Sequence, residues 1–292
     1  MNSVMQFLQT TLQPVVLIFT VSNLAAMGLQ VRMPQVVTAL KNRRAIALIF
    51  VWGWVFGPAF GYLITRVLPL AEPYKVVILL ACLAPCAPIL QQVVGKARGD
   101  VGFAGAFIPI VTIATVVFMP PLAPVLIKGL TVSPAALAKP LLLTILLPLL
   151  LGAAIRHYAD KAATRIFPAV KMLAFVFTLA CIVWCLALYG RGMLDTAGEF
   201  ALAAMTLFMV GMAVITYRFS FGLTQSQRSV MAMGMGAQNG AAMFACVFAM
   251  KSPDQRTVVM VVLWVLWSTM LAPIFARIFA RLADATAAES PA

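Results

Sequence analysis

Charge is scarce in this chain: 10% of its 292 residues are charged, against about 25% in an ordinary soluble domain. Acidic residues number 8 and histidines 1, and no Asp or Glu falls inside an apolar run. That scarcity excludes several functions. Paired carboxylates, a Ser-His-Asp set and a metal cluster are all missing from the apolar stretches, so neither an intramembrane enzyme nor a cofactor is expected. The 5 cysteines, Cys82, Cys86, Cys181, Cys185 and Cys246, show no C-x-x-C or Cys/His metal spacing and read as packing residues. His157, beside Arg156 in a loop, reads as solvated rather than as part of a proton relay. The first residues lack a basic stretch and a small-residue cleavage site, so no removable signal peptide is expected.

What is present is apolar. The set AVILMFWYC makes up 63% of the residues and the mean hydropathy is +1.01, which implies an all-α integral membrane protein without a sizeable water-soluble domain. The net charge of +13 would suggest nucleic acid in a polar protein. Here the basic residues sit in short loops between apolar spans, so the bilayer is the expected partner and nucleic acid is not. Runs bounded by charge, Pro or Gly give nine spans near 12–30, 45–68, 75–95, 101–126, 138–155, 167–189, 200–217, 229–250 and 257–280. Assigned alternately, the loops on one side gather Arg32, Lys41, Arg43, Arg44, Lys96, Arg98 and most other basic residues. The opposite side holds Arg66, Lys75, Lys128, Lys139, Arg191, Lys251 and Arg256, together with the acidic Glu72, Asp195, Glu199 and Asp254. The bias predicts an N-terminus outside and a C-terminus in the cytoplasm, with a bacterial inner membrane as the setting. Lys171, about one turn into span six after Pro168, reads as a side chain snorkelling to the headgroups. The chain divides into a first half, 1–130, with four spans, a second half, 131–284, with five, and a disordered Ala-rich tail, 285–292, that includes Glu289.

Two spans are interrupted. Span three carries Ala84-Pro85-Cys86-Ala87-Pro88 followed by Leu90-Gln91-Gln92, and two prolines remove two helix donors. Span eight carries Met233-Gly234-Met235-Gly236-Ala237-Gln238-Asn239-Gly240, a poor continuous helix. The hinges are therefore Pro85, Pro88, Gly234, Gly236 and Gly240. Either segment alone reads as a kink or a small-residue packing face. Five spans apart, the two run in opposite directions, and such a pair is the mark of an inverted-repeat secondary transporter.

The freed backbone must line protein or water rather than lipid. If the second half-helices begin near Pro88 and Gly236, two helix N-termini meet with the amides of Gln91, Gln92, Gln238 and Asn239 and with no carboxylate. Such a site prefers a small or amphipathic organic anion. The bland alternative is that these amides only cross-link the two halves. Secondary substrate candidates are Thr112 in span four and Asn23 in span one, with Thr115, Trp52, Trp54, Ser268 and Thr269 behind them. Thr112 and Thr115 equally suit bonds to their own preceding carbonyls.

The order of Met27-Gly28-Leu29, Pro58, the Ala84-Pro85-Cys86 run, Ala97-Arg98-Gly99-Asp100 and Gly236-Ala237-Gln238-Asn239-Gly240 resembles the bile acid:sodium symporter family across nearly the whole chain. The resemblance implies a panel domain, here spans one, five and six. It also implies a core domain, here spans two, three, four, seven, eight and nine, in which two broken helices cross at the substrate and sodium sites. The chain looks like a nine-helix version of a ten-helix plan. Where the resembling sodium-coupled members carry a glutamate it has Gly234. Their glutamine falls at Gly53, their serine-asparagine pair at Leu90-Gln91, and their hydroxyl residues at Ala104 and Ile108. No metal site is expected, and sodium becomes a doubtful partner. The function expected is alternating-access transport of an organic anion. The competing reading is a membrane sensor that binds a ligand on the same fold without moving it.

Overall fold

The computed structural model of the protein describes residues 3–127, 130, 132–197, 200–250 and 252–288; the side chains of 3, 4, 191, 193–197, 287 and 288 are not described. Lys128, Glu199, Lys251 and Glu289 lie outside the described residues, as do the side chains of Arg191 and Asp195.

Among the described residues all regular structure is helical. The order is α1 (Ser3–Gly28), α2 (Met33–Lys41), α3 (Arg43–Phe50), α4 (Gly57–Val67), α5 (Glu72–Ala81), α6 (Leu90–Val93) and α7 (Val101–Leu126), then α8 (Pro134–Leu141), α9 (Leu147–Tyr158), α10 (Asp160–Ala197), α11 (Ala201–Phe219), α12 (Gln225–Gly236), α13 (Gly240–Ala249) and α14 (Gln255–Ala288). Two π-helical turns, Val51–Phe56 and Leu142–Leu146, join α3 to α4 and α8 to α9 into rods. Each turn ends just before a proline, Pro58 or Pro148. A proline ring collides with the carbonyl four residues back, and the wider turn relieves that collision without breaking the rod.

Among the described residues seven helical rods are long and apolar enough to cross a membrane: Met5–Gly28, Arg43–Val67, Val101–Leu126, Pro134–Tyr158, Asp160–Gly190, Ala201–Phe219 and Gln255–Thr286. They coincide with the seven uninterrupted runs of the sequence. The remaining two runs are each split in two, α5 from α6 and α12 from α13. Helix starts are capped as their sequences dictate. The Asp100 carboxylate accepts the Phe103 amide at 2.9 Å, and Thr224 and Gln227 form a reciprocal capping box at the start of α12.

The structure corrects two boundaries. The loop expected between spans five and six shrinks to Ala159, because α10 already begins at Asp160, and it runs on to Ala197, so Asp195 is helical rather than in a loop. The expected disordered tail is helical through Ala288, since the Ala-rich run after Asp284 extends α14 with good helix formers.

Helix α1 packs chiefly against α10 and α9. Its approach to α9 requires glycine on both sides: a Cβ on Gly28 would lie 2.2 Å from the Leu149 carbonyl oxygen, and one on Gly152 2.6 Å from that of Ala25. Helix α11 packs on α12, and α14 touches α5, α12 and α13, which gathers the two split segments into the buried interior. All five cysteines are unpaired and buried.

Candidate functional site

The two interruptions meet, and the chemistry of the first explains how. Pro88 has no amide hydrogen, so the Ala84 carbonyl loses its helical donor. It accepts instead the Asn239 backbone N–H at 2.7 Å. The chain turns at Cys86, which holds φ +72°. Its amide donates to the Gly234 carbonyl at 2.9 Å, and the Ala87 amide donates to Ala237 at 3.0 Å. Pro85 and Gln238 form an isolated antiparallel bridge. Each break thus supplies the hydrogen-bond partners that the other has lost, which is what backbone away from water requires.

The hinges expected from glycine are corrected in place. Gly234 and Gly236 are still inside α12, and the break proper is Ala237 to Asn239, with α13 starting at Gly240. Gly234 serves close packing rather than bending: a Cβ there would lie 2.2 Å from Cε1 of the buried Phe107 ring. Pro85 and Pro88 do lie in the first break, but α6 begins at Leu90 and has a single turn. The expected meeting of two helix N-termini therefore reduces to the α13 end, and this end is already capped. The Asn239 side-chain oxygen accepts the Ala241 and Ala242 amides at 3.1 and 3.3 Å.

That cap fixes the other end of the Asn239 amide. Because Oδ1 faces two donors, Nδ2 is the free end. It is buried and has no hydrogen-bond partner among the described residues. Gln238 next to it is committed on both sides: Nε2 donates to the Met235 carbonyl at 2.8 Å, and Oε1 accepts the Trp264 indole N–H at 3.0 Å. The amide pair is divided in labour, Gln238 holding the break together and Asn239 keeping a donor unspent.

Both residues line a cavity of about 920 Å³, within the size range of small-molecule sites. Its walls are α1 and α10 on one side, and the crossing and α14 on the other. Of the sequence-predicted substrate residues, Gln91, Gln92, Gln238, Asn239 and Asn23 all line it, as do Ser268 and Thr269. Asn23 donates to the Phe19 carbonyl at 2.8 Å and to the Thr178 hydroxyl at 3.2 Å, which ties α1 to α10 at the cavity wall. Thr112 does not line the cavity. It is buried and donates to its own Ile108 carbonyl at 2.8 Å, and Thr115 does the same to Val111 at 2.9 Å. Trp52 and Trp54 lie away from the cavity among Phe50, Phe56 and Phe118.

Sequence reasoning missed the charge of the site. Lys96 and Lys171 both line the cavity, with Gln30, and no acidic side chain does so among the described residues. A second cavity of about 400 Å³ shares Gln30 and Gln91 with the first and adds Arg32 and Arg156 to its wall. Arg156 there is engaged by the Leu29 carbonyl, Asp160 and Thr164. The signal for Lys171 was its position about one turn into a span after Pro168; the rotation of α10 that turns it toward the cavity is set by packing alone.

Of the positions where sodium ligands fall by resemblance, Gly234, Gly53, Leu90, Ala104 and Ile108 offer no side-chain oxygen, and Gln91 does. Gly234 faces Phe107, and a Cβ on Gly53 would meet Pro85 and Met235 at 3.6 and 3.7 Å. Leu90, Ala104 and Ile108 are buried, and Ala104, with Gln91, also lines the second cavity.

The chain is 24% identical over 273 residues to the probable sodium/metabolite cotransporter BASS3, chloroplastic, of Arabidopsis thaliana, covering 91% of this chain and 63% of that protein. It is 24% identical over 196 residues to the protein of the same name from Oryza sativa subsp. japonica, covering 67% of this chain and 46% of that protein. The chain thus spans less than two thirds of the length of these relatives. The profile of the Sodium Bile acid symporter family matches residues 15–195, and this multi-pass integral membrane chain belongs to that family.

Proposed function

We infer that the protein is a secondary transporter of organic anions that binds its substrate in the 920 Å³ cavity beside the crossing and exposes it alternately to the two sides of the membrane. One observation carries this reading: the cavity is bounded by two different groups of helices, contains basic but no acidic side chains among the described residues, and has the amides of Gln91 and Gln92 in its wall beside Asn239, whose buried Nδ2 has no partner among the described residues. An anion entering it finds opposite charge, free N–H donors and apolar surface together. The packing of α1 on α9 and α10 supports treating those elements as a panel, against a core that contains both breaks. On this reading the two split segments complete nine crossings, with the N-terminus outside, the C-terminus in the cytoplasm and an inner membrane as the setting.

The relatives' names carry sodium coupling. For this chain we infer transport that does not depend on sodium, because Gly234 and Gly53 offer no side-chain oxygen and their surroundings are filled by Phe107, Pro85 and Met235. Uptake of a radiolabelled organic anion into proteoliposomes, with and without an inward sodium gradient, tests both parts. Saturable uptake at the same rate under both conditions is expected. No uptake above that of empty liposomes would refute transport.

A further inference from the structure

Two ammonium groups share the large cavity. Lys96 follows α6 on the wall made by the crossing, and Lys171 stands on α10 in the opposite wall; both side chains are exposed. Neither belongs to a salt bridge among the described residues. The Lys171 ammonium lies 5.9 Å from the centroid of the Phe167 ring, a contact that leaves its charge unneutralised. The same walls carry Phe19, Met27, Phe175 and Leu179 as well as amides.

A ligand that fills this space displaces water from around both charges, and an ammonium that has lost water without gaining a counter-charge is costly. One carboxylate compensates one lysine. Since the lysines stand on opposite walls, two acidic groups joined by an apolar spacer compensate both and cover apolar surface of the cavity. We propose that Lys96 and Lys171 make the cavity selective for organic dianions with an apolar spacer, each lysine pairing with one acidic group. The proposal rests on the cavity being the substrate site and specifies the class of anion that it takes.

The test is calorimetric titration of the purified full-length chain, in neutral detergent, with decanedioate and with its monomethyl ester. The diacid is expected to bind about tenfold more tightly than the ester, or better. Lys96→Gln and Lys171→Gln should each bring that ratio toward one, while Lys96→Arg and Lys171→Arg preserve it. Equal affinity for diacid and ester in the unmodified chain, or a ratio unchanged in both glutamine variants, overturns the proposal. Uptake separates its failure from that of the broader reading. If the monoester enters proteoliposomes as readily as the diacid, dianion selectivity alone falls. If neither probe binds nor enters, and other labelled anions also fail to enter, anion transport falls with it.

Discussion

Asn239 does two jobs with one side chain, and the two are separable by substitution. Its oxygen caps α13 through the Ala241 and Ala242 amides, and its Nδ2 is the unspent buried donor at the cavity. Asn239→Ala removes both, so a fall in uptake would be ambiguous; loss of the cap alone costs about 1 kcal/mol. Asn239→Asp keeps a capping oxygen, since Asp and Asn cap equally well, but replaces the donor with an acceptor and adds negative charge at the cavity. The Asp variant is expected to stay folded by size-exclusion profile while anion uptake falls about tenfold or more, the amount that loss of a charge-assisted hydrogen bond plus new repulsion would bring. Uptake at the unmodified rate in the Asp variant would assign Asn239 to structure alone.

At the level of elements, the crossing is held by backbone, and its sharpest constraint is at Cys86, with φ +72° and both neighbouring amide bonds committed across the break. A β-branched residue is strained in that left-handed conformation, so Cys86→Val should lower stability by about 1–2 kcal/mol. Cys246→Val, a buried cysteine within α13, serves as the control; thermal unfolding in detergent compares them, and equal shifts would show that Cys86 is under no special constraint. The elements differ in how far they could be read from residues alone. Uninterrupted runs such as 101–126 announce themselves because a bilayer demands about 20 apolar residues in sequence. The first break is legible because Pro85 and Pro88 remove donors at fixed places, leaving Ala84 to find Asn239. The second is legible only as a region: a buried helix tolerates glycine when a neighbour fills the space, as Phe107 does at Gly234, so the chain leaves the helix three residues later, at Ala237. Asn23, Gln91, Gln92 and Asn239 were legible as cavity residues because polar groups inside apolar spans have few other places to go. Thr112 was not, since a hydroxyl satisfied by its own helix looks the same in sequence as one facing substrate. That Lys171, read as a snorkelling side chain, also lines the cavity was not legible, because the side of a helix on which a lysine lies depends on the rotation of that helix.

For the molecule as a whole, orientation and coupling are the open physical questions, and both yield to measurement. With all native cysteines buried, single cysteines at Ser252, after α13, and at Thr286, near the end of α14, report sidedness against a silent background. Labelling by a membrane-impermeant maleimide from opposite sides is expected, and labelling from the same side would reject the orientation drawn from the basic loops. Coupling follows from charge. A sodium ion taken from water into the membrane interior needs oxygens to replace its hydration shell, and a carboxylate offsets much of the remaining cost. Here the positions that resemblance assigns to sodium ligands hold Gly234 against Phe107, Gly53 against Pro85 and Met235, and the buried Leu90, Ala104 and Ile108, and Gln91 alone among them keeps a side-chain oxygen. Gln238 already spends its side-chain oxygen on Trp264, and Asn239 spends its own on the first amides of α13. On the proposed reading the positive charge beside the substrate comes instead from Lys96 and Lys171, which line the cavity and are present whether or not sodium is. Substrate affinity measured by calorimetry in sodium buffer should therefore equal that in choline buffer at matched ionic strength. An increase of about tenfold with sodium, about 1.4 kcal/mol, would mean that backbone carbonyls around the crossing, with Gln91, assemble a cation site, and that the fixed lysines do not replace it.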